Sequence, residues 1–174
     1  MKLTNISNFN NIQDYLAILN GSILADIVVL LIVYYTSYFN SYHLMRWYET
    51  YRLSAIIADV LILMIGIIIT RYIFNYFKLK WNIITFIAIL LGVQITHDYL
   101  FYLFFKSVPH GMNKMLDLFK YYAKEVSIGA ILGDSFMIII AALLSSYFAG
   151  LSLNTNIILL ICFVYLIPYI LYTK

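Results

Sequence analysis

The chain has 174 residues, 64% of them hydrophobic and 18% aromatic, with a mean hydropathy of +0.90, which excludes an ordinary soluble domain. Charged residues make up 11% and collect between the apolar runs, and a net charge of +3 suits basic loops beside anionic lipid. No Lys/Arg cluster with interleaved aromatics stands outside those runs, so the expected partner is the lipid bilayer and not nucleic acid.

The first 14 or so residues form a polar, Asn-rich tail without the basic n-region of a cleavable signal peptide. Five apolar runs follow, four of them long enough for a hydrocarbon core of roughly 30 Å, which takes about 20 helical residues, and the last somewhat shorter. They cover residues 15–39, 53–74, 83–105, 126–148 and 157–172. The first is closed by a Tyr34-Tyr35-Thr36-Ser37-Tyr38 patch suited to the headgroup level. Between the first and second runs, residues 40–52 alternate aromatic and charged side chains. Arg46, Trp47, Tyr48, Tyr51 and Arg52 read there as interfacial anchors on a short amphipathic helix. After the third run, Pro109 and Gly111 break the chain, and residues 113–124 place Met115, Leu118, Phe119 and Tyr122 on one face of a second interfacial helix. Pro168 stands near the end of the fifth run.

This pattern predicts one all-α, polytopic membrane domain covering residues 1–174, with its termini on opposite sides of the bilayer. Call the N-terminal face A and the other face B. Face B holds Arg46, Arg52, Lys106, Lys114, Lys120, Lys124 and Lys174, while face A holds Lys2, Arg71, Lys78 and Lys80. The excess on face B makes that side cytoplasmic by the positive-inside rule and puts the N-terminus outside. The single cysteine, Cys162, lies in an apolar run, so internal disulfides, dithiol chemistry and Cys-based zinc sites are excluded.

Four of the runs carry one aspartate each, in ILADIVVLLIVYY (Asp26), IIADVLILMIGIII (Asp59), ITHDYLFYLFF (Asp98) and SIGAILGDSFMIII (Asp134). A carboxylate at the centre of a spanning helix costs about 2.5–3.5 kcal/mol on insertion scales, so it must be protonated, paired or turned towards other protein. At a rise of 1.5 Å per residue, Asp59, Asp98 and Asp134 all fall roughly 10–14 Å below face B, with Asp26 slightly deeper.

Small and polar residues share faces with them: Ser22 with Asp26, Ala55 and Gly66 with Asp59, Gln94 with Asp98, and Ala130, Ala141 and Ser145 with Asp134. The first four spans are therefore expected to pack around an intramembrane aspartate cluster, with the fifth outside. Such aspartates serve either as hydrogen-bonding locks between helices or as the lining of a functional polar cavity, and four at one depth favour the cavity. The polar-core and ion-pathway candidates are Asp26, Asp59, Asp98, Asp134, Gln94 and His97. His97 projects about 100° away from Asp98, which suits a structural or interfacial histidine better than a relay. His43 and His110 make no metal-ligand spacing with it, so neither a metal site nor a cofactor is expected, and no catalytic residue is assigned.

His97-Asp98-Tyr99 on one span and Leu132-Gly133-Asp134 on the next are similar to the Tyr-Asp and Gly-x-Gly-Asp elements of presenilin-type intramembrane aspartyl proteases. Here Ile131 replaces the first motif glycine, Tyr99 follows Asp98, and no Pro-Ala-Leu element exists. The blocks RWYETYRLSAIIADVLILMIG, THDYLFYLFF and KYYAKEVSIGAILGDSFMI resemble small multi-span membrane proteins of large DNA viruses. That resemblance implies a component of a virion or host internal membrane. The functions in view are proton or cation handling, a structural scaffold, or a two-aspartate intramembrane protease. Homo-oligomers or other membrane proteins are the partners to expect beyond lipid.

Overall fold

The computed structural model describes residues 3–38 and 41–173, and among these there is no strand. Seven helices follow one another: α1 (Asp14–Tyr35), α2 (Tyr42–Tyr51), α3 (Leu53–Tyr76), α4 (Ile83–Ser107), α5 (Lys114–Val126), α6 (Ile128–Phe148) and α7 (Leu153–Leu171). Five of them, α1, α3, α4, α6 and α7, are long and apolar enough to cross a bilayer, and the protein is an integral membrane protein. The short α2 and α5 are the two amphipathic segments.

Some boundaries differ from the hydropathy reading for local reasons. Helix α1 stops at Tyr35 because Thr36 turns extended, and residue 39, where the first run was placed to end, lies outside the described residues. The fourth span begins at Ile128 because Ser127, with φ of 49°, breaks the chain after Val126, which belongs to α5. The last span begins at Leu153, where the Ser152 hydroxyl accepts the Thr155 N–H at 3.1 Å and caps the helix.

The spans α1, α3, α4 and α6 close a ring: α1 packs on α3 and α6, and α4 packs on both of those from the far side. Helix α7 lies outside the ring against α1, where the Asn20 side chain donates to the Asn156 carbonyl at 2.8 Å. The α1–α6 seam is the closest. A Cβ on Gly21 would lie 2.6 Å from the Ser145 backbone nitrogen, so only glycine permits this approach.

Both ends of the bundle are covered. At face A the N-terminal segment folds back: the Thr4 N–H donates to the Ser146 carbonyl (3.0 Å), and Ile6 is fully buried. Arg71, counted above among the loop charges, is instead completely buried; it donates to the Asn8 and Asn11 carbonyls and pairs with Asp14 at 3.2 Å. All of these bonds are made by Nη2, while Nε and Nη1 are buried without a hydrogen-bond partner among the described residues. At face B, α2 and α5 lie against each other above the ring.

The ring is built from one unit used twice. Span, short amphipathic helix and span occur as α1-α2-α3 and again as α4-α5-α6. Asp26 precedes the N-cap Ser41 by 15 residues, and Asp98 precedes the N-cap Asn113 by the same interval. The joints into α3 and α6 share one rare backbone conformation, φ 49° and ψ −122° at Arg52, φ 49° and ψ −119° at Ser127. Asp59 and Asp134 each stand seven residues past that joint, in the matching strings AIIAD and AILGD. The helix contacts pair as they would about a two-fold axis along the bundle: α1 on α3 with α4 on α6, and α1 on α6 with α3 on α4.

Candidate functional site

A cavity of about 790 Å³ lies inside the ring beneath α2 and α5. Asp59 of α3, Asp98, Gln94 and His97 of α4, and Asp134 of α6 line it, together with Trp47, Tyr48, Phe101, Phe119 and Tyr122. No lysine or arginine lines it among the described residues. Asp26 does not line it; fully buried on α1, it sits behind Tyr48, whose hydroxyl donates to its Oδ1 at 3.1 Å.

The four aspartates divide into two kinds. Asp26 and Asp59 are bound by α2: Tyr48 holds Asp26, and the Trp47 indole N–H donates to Asp59 Oδ2 at 3.0 Å. These are locks between an amphipathic helix and two spans. Asp98 makes only local bonds, accepting from Gln94 Nε2 at 2.6 Å on its own helix, with His97 Nδ1 at 3.3 Å. Its second oxygen is inaccessible and has no hydrogen-bond partner. The Asp134 carboxyl faces the cavity and accepts no hydrogen bond from any described side chain or backbone group.

This division reflects an unequal fit of the two units. In the first, Trp47 reaches the aspartate past the joint. In the second, Tyr122 lines the cavity near Asp134 without bonding to it. Trp47 and Tyr122 both stand five residues before their joints, so what differs is the side chain: the Trp47 indole N–H reaches Asp59, and the Tyr122 phenol makes no bond to Asp134. Burial first, and then the nearby carboxylates, push the Tyr48 and Tyr122 phenols up from their ordinary range, so both stay protonated donors.

The reading of residues 46–52 as interfacial anchors needs correction. Arg46 is exposed as expected, but Trp47 and Tyr48 are 4% and 1% exposed and reach inward to carboxylates. The signal was present in the spacing of Leu44, Trp47, Tyr48 and Tyr51, which puts four apolar or aromatic side chains on one helical face. In α5 the face predicted from Met115, Leu118 and Phe119 does pack against the core. The roof is clamped by Glu125 at the end of α5, which accepts the N–H groups of Tyr42 (2.7 Å) and His43 (3.0 Å) and the Ser41 hydroxyl (3.0 Å). Its Oε2 also lies 2.6 Å from His43 Nδ1. Burial alone would raise this carboxyl, but those hydrogen bonds outweigh it and hold its pKa down to about 2.

His97 stacks on Phe101 with ring centroids 5.8 Å apart, and both also line a shallow apolar groove on the outer surface between α3 and α4. Among the described residues no group of three His, Cys, Asp or Glu stands close enough to hold a metal ion. No protein-family model matches the chain, and comparisons with curated proteins and with solved structures find no match.

Proposed function

We propose that the protein handles protons or small cations inside the membrane, at the carboxylate-lined cavity under α2 and α5. The observation that carries this reading is the pair Asp98 and Asp134: both line a cavity without lysine or arginine, and neither is used to fasten one helix to another. Carboxylates in a low-dielectric cavity without counter-charges concentrate cations and favour proton exchange. A purely structural scaffold explains Asp26 and Asp59, whose bonds to Tyr48 and Trp47 hold α2 down, and leaves the other two unexplained.

The protease reading has less support. It needs two carboxyl groups sharing one proton across a hydrogen bond, whereas Asp98 is bonded to Gln94 and His97. A place in a virion or host internal membrane rests on the sequence resemblance alone and says where the protein would work.

The test is flux. Purified protein in liposomes carrying a pH-sensitive dye is given a proton or potassium gradient, and dissipation is compared with that of Asp98→Asn and Asp134→Asn. The expected result is dissipation above empty liposomes that both variants lose. Dissipation equal to that of empty liposomes in the parent protein would refute the reading.

A further inference from the structure

The cavity is far larger than a proton or a dehydrated metal ion requires. At about 790 Å³ it falls within the range of small-molecule sites, roughly 300–1,000 Å³. Its walls are mostly aliphatic and aromatic: Trp47 and Phe119 lie 4.8 Å apart, centroid to centroid, and Phe101 stands edge-on to Phe119 at 5.3 Å. We infer that this cavity binds a lipophilic organic cation, an ammonium group on an apolar body, with its charged head between Asp98 and Asp134 and its body against the aromatic wall. The inference deepens the cation-handling reading and rests on it.

Two observations beyond the acidic lining point to such a ligand. The first is the comparison within the chain. Past the Arg52 joint, Asp59 receives an N–H from Trp47; past the equivalent Ser127 joint, Asp134 receives none from any described residue. A ligand N–H would occupy in the second unit the role that the indole fills in the first. The second observation is Gln94, 5% exposed and lining the cavity. One of its amide hydrogens is used on Asp98, and no described residue donates to its carbonyl oxygen. Beside it Asp98 Oδ2 is a buried acceptor without a donor among the described residues; such an acceptor is costly unless something donates to it, and an ammonium carries several hydrogens. Aromatic faces within about 6 Å of a cation add attraction that neutral ligands do not gain.

The same geometry supplies an access route for a lipid-soluble molecule. His97 and Phe101 form a common wall between the cavity and the outer α3–α4 groove. A ligand dissolved in the bilayer would meet that groove first.

The experiment compares two probes of one shape, 4-phenylbutylammonium and 4-phenylbutan-1-ol, by calorimetric titration of the purified protein in detergent. The expected result is saturable ammonium binding, with the alcohol weaker by about tenfold or more, as loss of one charge-assisted hydrogen bond implies. Asp134→Asn and Asp98→Asn should each weaken the ammonium by a similar factor, while Glu49→Gln, at a residue that does not line the cavity, should bind it as the parent does. Equal affinity for the two probes in the parent protein would overturn the proposal, and that comparison needs no variant to fold. So would full ammonium affinity in Asp134→Asn and Asp98→Asn. The flux assay separates the two claims: aspartate-dependent proton or potassium flux that 4-phenylbutylammonium neither blocks nor accompanies would sink this inference and spare the broader one.

Discussion

Trp47 donates its indole N–H to the Asp59 carboxylate at 3.0 Å, and so a side chain from an amphipathic helix reaches the polar level of the bundle. Its neighbour Tyr48 does the same for Asp26, so one turn of α2 donates to aspartates on two different spans. The bond length lies in the range of a good N–H···O bond, and a carboxylate acceptor makes such a bond stronger than a neutral one.

Trp47→Phe keeps an aromatic ring in the roof and removes the donor. Loss of a hydrogen bond to a charged group costs about 1.5–3 kcal/mol. The variant should unfold at lower temperature in detergent, and hydrogen exchange should quicken across α2. Unchanged protection of residues 42–51 would show that the indole bond does not hold the helix.

The Glu125 clamp gives a pH dependence with a definite sign. Its pKa is depressed to about 2 in the folded protein from an ordinary 4.5. The clamp therefore contributes its full stability above about 4.5 and loses it progressively as pH falls towards 2. Glu125→Gln should remove that part of the acid dependence and loosen the N-terminus of α2 at neutral pH. Amide exchange at Tyr42 and His43, whose N–H groups Glu125 accepts, reports it directly.

Gly21→Ala tests the α1–α6 seam. The added methyl would meet the Ser145 backbone, which cannot rotate away, so the helices must separate. Overpacking of this kind typically costs about 1–3 kcal/mol. Gly92→Ala is the control, since a Cβ there meets nothing. Equal melting temperatures for the two variants would contradict the close seam.

Much of this architecture can be read from composition and periodicity, because a bilayer demands long apolar helices and leaves charges at their ends. Counting residues along those helices puts Asp59, Asp98 and Asp134 near one level, with Asp26 slightly deeper. The inward reach of Trp47 and Tyr48 was missed because aromatics beside charges are the usual mark of a membrane interface, and only tertiary packing turns that face towards carboxylates. Arg71 was misassigned for a related reason. It stands at the end of an apolar run where a loop cation is expected, and its partners, Asn8, Asn11 and Asp14, lie some 60 residues away. The duplicated unit was legible in AIIAD and AILGD. It is obscured by the three-residue difference between α2 and α5, which shifts the register between the two halves.

Ser127→Gly tests the joint of the second unit. A serine at φ 49° and ψ −119° sits in a region that glycine occupies freely, and strain there is of order 1–3 kcal/mol. The glycine variant should melt higher than the parent and Ser127→Val lower. The reverse order would mean that the joint is not strained.

The central claim is that the aspartates are divided between holding the fold and handling cations, and one comparison tests it most directly. The double variant Asp98→Asn/Asp134→Asn is measured for both melting temperature in detergent and cation flux in liposomes, beside Asp26→Ala/Asp59→Ala. The account predicts that the first double variant melts like the parent and conducts no flux, while the second melts well below it because Tyr48 and Trp47 lose their acceptors. Parental flux in Asp98→Asn/Asp134→Asn would contradict the account.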